Sequence, residues 1–298
     1  MESARPPSRV LLCGASGFIG RHIRAALERA GHTVIAGRSQ PRAGSIQVDF
    51  VHDTRAATWL PKLQGLDAVV NAVGVLRDSP QRPMQAVHAD APVALFDACA
   101  QAGVRRVVHI SALGIQGNPS AYARTKLVAD RHLRALTDAG KLDGMVVRPS
   151  VVFGKGGASS ELFMTLAHSP VWLLPRPVTE TRIQPVAVSD LALVVAQLLA
   201  PAHRQQSGEI ACVGARALTV VDFLAVLRAK LGHPPAHVFT LPDRLTRWSA
   251  RLGDHIPISP WCSQTLALLS QDNVAPTAMT AALLGREPLG PDQFQIEG

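Results

Sequence analysis

The chain has 298 residues, 47% of them hydrophobic and 17% charged, which excludes a disordered tract and supplies enough apolar side chain for a large core. The formal net charge is +8, but the arginines are spread along the chain and Phe and Tyr number only eight and one. That pattern argues against a nucleic-acid surface and fits attraction of an anionic cofactor.

Residues 1–8 read as a loose tail rather than a secretion signal, because the apolar run behind them is the first strand. No apolar run approaches the ~18 residues needed to cross a bilayer; the best, residues 191–200, is short and broken by Gln197. The cysteines, Cys13, Cys99, Cys212 and Cys262, form no CxxC pair, and the histidines form no HExxH. The sequence therefore predicts a cytoplasmic protein without a metal site.

Residues 10–13 have the composition of a buried parallel strand. Gly14, Gly17 and Gly20 follow at three-residue spacing and open a helix whose apolar face carries Phe18, Ile19, Ile23, Ala26 and Leu27. A strand, a glycine turn and a helix N-terminus together aim backbone N–H groups and a positive dipole end at one point, which suits a pyrophosphate. Residues 32–36 read as the second strand. Folds of this kind that bind NAD carry an acidic residue just beyond it. Here Gly37–Arg38 and then Arg42 stand instead, and an arginine suits a ribose 2′-phosphate. The expectation is NADP(H) in preference to NAD(H).

Residues 46–50 predict a short strand, 54–63 a helix and 66–74 a strand running into a small-residue loop. Helical period runs over residues 83–102, stopped by Gly103, and residues 107–111 form a fifth strand. Alternating strands and helices predict an α/β, doubly wound parallel sheet of the Rossmann type, covered on both faces. Ligands of such sheets sit at the carboxyl ends of the strands, where Gly14, Arg38, Ala72 and Ser111 fall.

Tyr122, the single tyrosine, precedes Lys126 by four residues in Y-A-R-T-K at the start of a helix, so both side chains share one face. A phenol of pKa about 10 is a poor base at neutral pH, and an adjacent ammonium favours the phenolate. The pair suits proton exchange with a substrate oxygen while hydride moves to or from a nicotinamide.

GASGFIGRHI, Y-A-R-T-K, R-P-S-V-V-F-G at residues 148–154 and Q-P-V-A-V-S-D-L-A at 184–192 together resemble the extended and atypical branches of the short-chain dehydrogenase/reductase superfamily. The resemblance runs from about residue 9 to about residue 233. VVHISALG and the short loop to Y-A-R-T-K are most similar to an atypical branch that includes the NADPH-binding accessory subunit of respiratory complex I and its bacterial relatives.

The resemblance implies that Gly14, Ser16, Gly17, Phe18, Ile19 and Gly20 hold the cofactor's diphosphate region and Arg38 its 2′-phosphate. It puts Asp49 and Phe50 beside the adenine, and Ala72, Val73 and Gly74 near the nicotinamide half. Tyr122, Lys126, Pro149 and Val152 complete that cofactor set. It implies a catalytic set of Tyr122, Lys126 and Ser111. Extended members carry the working hydroxyl where this chain has Ala112; Ser120 is another hydroxyl close by, and His88 stands where many carry Asn.

Residues 9–155 are expected to form the dinucleotide-binding domain. Residues 156–298 are expected to complete the sheet and to build a smaller substrate lobe from 156–180 and 233–298. Phe163, Leu166, Val171, Trp172 and Leu173 are expected in its core, and Asp190 as a helix N-cap. Between Asp243 and Leu252, Leu245, Trp248 and Leu252 share one helix face and Arg244, Arg247 and Arg251 another. Packing on its own domain is the favoured role, with an anionic membrane as the alternative.

The function expected is an NADP(H)-dependent oxidoreductase acting on a small carbonyl or hydroxyl compound. The rival is a non-catalytic NADPH-binding accessory protein docking on a respiratory or membrane partner. A nucleotide-sugar epimerase or dehydratase is the weaker third reading. Pairing of the flanking helices in a homodimer is left open.

Overall fold

The computed structural model describes residues 8–40, 42–203, 206–256 and 261–296. Residues 1–7 of the expected tail lie outside these, and Ser8 is already buried. Strands β1 (Arg9–Cys13), β2 (Thr33–Arg38), β3 (Ser45–Gln47), β4 (Ala68–Asn71), β5 (Arg106–Ile110), β6 (Asp143–Pro149) and Gly208–Cys212 make one sheet. Their spatial order is β3-β2-β1-β4-β5-β6, with Gly208–Cys212 beyond β6. The pairings from β3 through β6 are parallel, with Leu11 opposite both Ile35 and Val69. This is the expected α/β fold.

The reason is visible in the strands. Residues 10–13, 68–71 and 106–110 are buried throughout, as a sheet covered on both faces requires. The chain travels outward from β1 to β3, then resumes on the other side of β1 with β4. Strand order therefore reverses between β1 and β4, and it is outside the carboxyl ends at such a reversal that sheets of this kind bind their ligands.

Helix α1 (Phe18–Arg29) covers the sheet with Gly20, Ile23, Ala26 and Leu27. The predicted helix 54–63 is a single turn, α2 (Ala56–Trp59), continuing as 3₁₀ over Leu60–Leu63; Pro61 removes an N–H from the continuation. The predicted helix 83–102 opens with a π turn, Ala86–Asp90, before α3 (Ala91–Ala102). Gly103 ends it at φ +75°, a conformation that suits glycine. Helix α4 (Ala121–Asp138) follows β5. The predicted strand 66–74 is shorter than expected, and Val152–Phe153, just beyond β6, lies outside the main sheet and pairs with Val186–Ala187.

The chain divides into two compact units and crosses between them repeatedly rather than once near residue 155. The first comprises residues 1–111, 125–148 and 192–210, and the second 112–124, 149–191 and 211–298. In the first, Trp59, Leu63, Leu95, Phe96 and Val107 anchor the core, with Phe50 edge-on to Trp59 at 5.5 Å. Buried Arg106 is satisfied by main-chain carbonyls of Asp143, Leu198, His203 and Gln206.

In the second unit Phe153, Phe163, Phe223 and Phe294 form an aromatic core. Phe163 and Trp172 are buried as expected, and Leu166 packs against that core. Val171 and Leu173 correct the expectation. Strand Val171–Pro175 alternates, so Trp172 and Leu174 point inward while Val171 and Leu173 are 47% and 58% exposed. Asp190 is not an N-cap. It is the third residue of helix Val188–Leu199 and fully buried, and its carboxylate accepts from Arg286 Nη2 at 2.5 Å and Leu289 N at 2.8 Å. It thereby ties down the C-terminal segment.

Candidate functional site at the strand ends

The glycine corner has the geometry that close backbone approach needs. Gly14 takes φ +82°, and a Cβ there would come within 2.9 Å of Ala72 O. A Cβ on Gly20 would sit 2.0 Å from Gly14 O, so α1 can start this close to β1 only with glycine there. Gly17 donates to Gly14 O at 2.9 Å and precedes α1 without a side-chain cap. No acidic residue occupies the first turn. The leading amides of α1 thus face outward without a side-chain acceptor, and the dipole end is positive. Ser16 is exposed, and Phe18 and Ile19 are half-buried at the helix start. This cradle of bare backbone at the reversal of strand order fits a dinucleotide diphosphate.

Around it, Arg38 closes β2 half-buried, and Arg42 is exposed on the next loop. The Asp49 carboxylate accepts from Val51 N and faces His52 Nδ1, each at 2.9 Å. The Phe50 ring turns into the core. Ala72 N donates to Cys13 O at 3.0 Å, which binds the β4 loop to the end of β1. Val73 is half-buried and Gly74 exposed beside it.

Lys126 is 3% exposed. Its Nζ donates to Ile110 O at 2.9 Å, and a Cβ on Gly74 would stand 3.4 Å from it. Burial lowers its pKa to about 8, with Asp130 opposing the shift. Buried His88 accepts from Val75 N at 2.9 Å through Nε2, and its Nδ1–H therefore points to Thr125 Oγ1 at 3.1 Å. Burial, and then the Lys126 charge, hold that imidazole neutral, down to about 2.

One turn after Lys126 comes Asp130, fully buried. Its Oδ2 accepts from Ser111 Oγ at 2.8 Å and from Arg148 Nη2 and Nε at 2.8 and 3.1 Å. Arg148 continues to Glu209 at 2.8 Å. On the other side, Asn71 Oδ1 accepts from Val73 N while its Nδ2 donates to His109 Nδ1 at 3.2 Å. That leaves His109 Nε2–H aimed at Asp130 Oδ1, 3.6 Å away. Burial raises the Asp130 carboxyl above its usual range and Arg148 draws it back; burial lowers His109.

Asn71, His109, Asp130, Arg148 and Glu209 were not among the expected site residues. Asp130 had a signal: it continues the four-residue spacing of Tyr122 and Lys126 on a face otherwise made of Ala123, Ala129 and Leu133. Arg148 directly follows an apolar run, residues 145–147.

In the first unit Lys126 is thus held at the end of β5 by the Ile110 carbonyl, beside Gly74, and Ser111, the residue after β5, is held by Asp130. Tyr122, Pro149 and Val152 belong to the second unit. Tyr122 is the second residue of α4, one turn ahead of Lys126, and its backbone N donates to Gln264 Oε1 at 3.3 Å. Ser120 caps α4, its Oγ accepting from Ala123 N at 3.2 Å.

The sequence profile of the NAD dependent epimerase/dehydratase family matches residues 10–170, more than half the chain. The chain belongs to that family. It is 24% identical over 267 residues to the rat mitochondrial NADH dehydrogenase [ubiquinone] 1 alpha subcomplex subunit 9, covering 84% of this chain and 68% of that one. It is 27% identical over 190 residues to the ceramide reductase of Caulobacter vibrioides, covering 61% and 58%. Among solved structures, an NADPH-dependent quinone oxidoreductase from Escherichia coli complexed with NADPH matches with TM-score 0.71, at 16% identity over 95% of this chain and 97% of that one. The UDP-glucose 4-epimerase of Thermus thermophilus complexed with NAD matches with TM-score 0.66, at 20% identity over 94% of each chain. These similarities establish an extended short-chain dehydrogenase/reductase fold.

Proposed function

We propose that this family member is an NADP(H)-dependent oxidoreductase acting on a small carbonyl or hydroxyl compound. The observation that carries the reading is the buried Lys126, one turn after Tyr122, with its ammonium beside Gly74 at the carboxyl ends of the sheet. A buried cation at a strand end is costly unless a partner or a function retains it. Gly14, Gly17 and Gly20 would hold the diphosphate through main-chain N–H groups, and Arg38 would take the 2′-phosphate. When bound, the nicotinamide supplies or accepts the hydride. The Tyr122 phenol gives or takes the proton at the substrate oxygen, and the Lys126 charge favours its ionised form. Ser111 Oγ donates to Asp130, which leaves its lone pairs to accept but not a second proton to give. Ser111 is therefore the weakest of the three assignments.

The same hydrogen bond favours a second reading. With Ser111 facing Asp130 and Ser120 capping α4, the chain could bind NADPH without turning it over, as an accessory protein of a respiratory partner. The relative in NADH dehydrogenase supports this alternative. Incubation with NADPH and a panel of ketones, aldehydes and quinones, followed at the nicotinamide absorbance, separates the two. Oxidation that Tyr122→Phe abolishes supports the enzyme. Tight NADPH binding with no oxidation of any compound supports the accessory role.

A further inference from the structure

Helix Asp243–Asp254, all within the second unit, has three faces rather than two. Thr246, Ala250 and Gly253 are its buried side. These are small residues, and a Cβ on Gly253 would lie 2.1 Å from Trp261 O, so the helix packs closely there. Arg244, Arg247 and Arg251 form a second, exposed row. Leu245, Trp248 and Leu252 form the third, and Ile256 follows at the same spacing; they are 51%, 61%, 45% and 50% exposed. The helix packs on its own unit, as expected, but not through its apolar row. The small residues pack, and the large ones face outward.

The strand leading into the helix behaves in the same way. His237–Leu241 pairs in parallel with Val171–Pro175, setting Phe239 beside Leu173, and these are 56% and 58% exposed. Val171 and Val238 are also exposed. Among the described residues no ion pair engages the three arginines of the helix. Its two acidic residues are turned to other duties: Asp254 accepts from Ser263 N and Oγ at 2.8 and 2.6 Å, and Asp243 interacts with Arg176.

We infer that this helix is a docking surface for an anionic lipid bilayer. An apolar row that includes a tryptophan, flanked by a row of unpaired arginines, is the pattern by which a helix lies in the headgroup region. The apolar row enters the acyl boundary while the arginines meet lipid phosphates. A protein partner or a second copy would also cover apolar side chains, but the arginine row beside them matches a surface of phosphates. This inference does not rest on the oxidoreductase reading.

The test is co-sedimentation of the full chain with vesicles of phosphatidylcholine containing phosphatidylglycerol, and with vesicles of phosphatidylcholine alone. The protein sediments with the anionic vesicles and much less with the neutral ones. Arg244→Gln, Arg247→Gln and Arg251→Gln together weaken binding about 100-fold, at roughly tenfold or less per arginine near the surface. Trp248→Glu with Leu252→Glu abolishes it, while an unchanged circular-dichroism spectrum and thermal melt show that the fold is intact. Trp59 and Trp172 are buried and Trp261 is half-buried, its indole N–H donating to Ser249 Oγ at 3.2 Å, whereas Trp248 is 61% exposed; the part of any blue shift on adding anionic vesicles that Trp248→Phe removes, with sedimentation retained, therefore reports the entry of Trp248 into the bilayer. No sedimentation with either vesicle overturns the inference. So does self-association, measured by sedimentation velocity, that the Trp248→Glu, Leu252→Glu variant alone abolishes, because the face is then covered by a second copy.

Discussion

Two helices depart from the usual division of polar and apolar faces, in opposite directions. Helix α4 buries a lysine and an aspartate, Lys126 and Asp130, among alanines and a leucine. Helix Asp243–Asp254 exposes two leucines and a tryptophan and buries a threonine, an alanine and a glycine. Each arrangement costs free energy against an ordinary amphipathic helix. In α4 the cost is offset locally, by the Ile110 carbonyl for the lysine and by Ser111 and Arg148 for the aspartate. In the other helix the described residues bury none of the three large side chains, and the proposed bilayer contact would supply the compensation. Departures of this kind concentrate where a chain does its work.

The comparison can be broken at either helix. The largest effect is expected at the head of α4. Tyr122→Phe removes the proposed proton donor and is expected to lower turnover by roughly 10²–10⁴-fold, leaving the NADPH dissociation constant nearly unchanged in a fluorescence titration; retained turnover refutes its role. Next comes the buried ion pair. Arg148→Met leaves Asp130 buried without its guanidinium and is expected to destabilise the fold by about 3–5 kcal/mol, measured by urea denaturation. A change under about 1 kcal/mol, the size of an exposed pair, would show that the pair is not buried in solution.

Arg38→Ala is expected to weaken NADPH binding about tenfold or more and to leave NADH nearly untouched, since only the former carries the 2′-phosphate. Equal loss for both would return Arg38 to the loop. The smallest effect concerns pH. Burial brings the folded pKa of Lys126 down to about 8, from the 10.5 of an ordinary lysine. Turnover should therefore decline as pH rises through about 8 and the ammonium is lost. Between those two values the unfolded chain binds the extra proton, so this group's contribution to stability increases with pH across that window. Lys126→Met should remove both dependences while keeping the melting temperature at pH 7 at or above that of the parent. A variant that melts far lower would mean that the ammonium stabilises the fold.

Much of the sheet was legible in the sequence because strands buried on both faces are continuous apolar runs, as at residues 10–13 and 107–110. The glycine corner and the Tyr122–Lys126 spacing were legible because their partners are local. The Asp130 network was not. Its members come from β4, β5, α4, β6 and Gly208–Cys212, and only the folded sheet brings Asn71, His109, Arg148 and Glu209 to one carboxylate. The outward face of Asp243–Asp254 was hidden for a related reason. Periodicity reveals that a face is apolar, but what covers it is a tertiary fact, and here small residues, not large ones, make the contact.

Main-chain amides at the β1–α1 corner are proposed to grip a dinucleotide. Hydrogen exchange followed by mass spectrometry, with and without NADPH, tests this most directly. The account predicts that NADPH slows exchange in the peptide covering Gly14 to Gly20, and that no comparable slowing appears in the helix Asp243–Asp254. Saturating NADPH that leaves exchange at Gly14–Gly20 unchanged would contradict it.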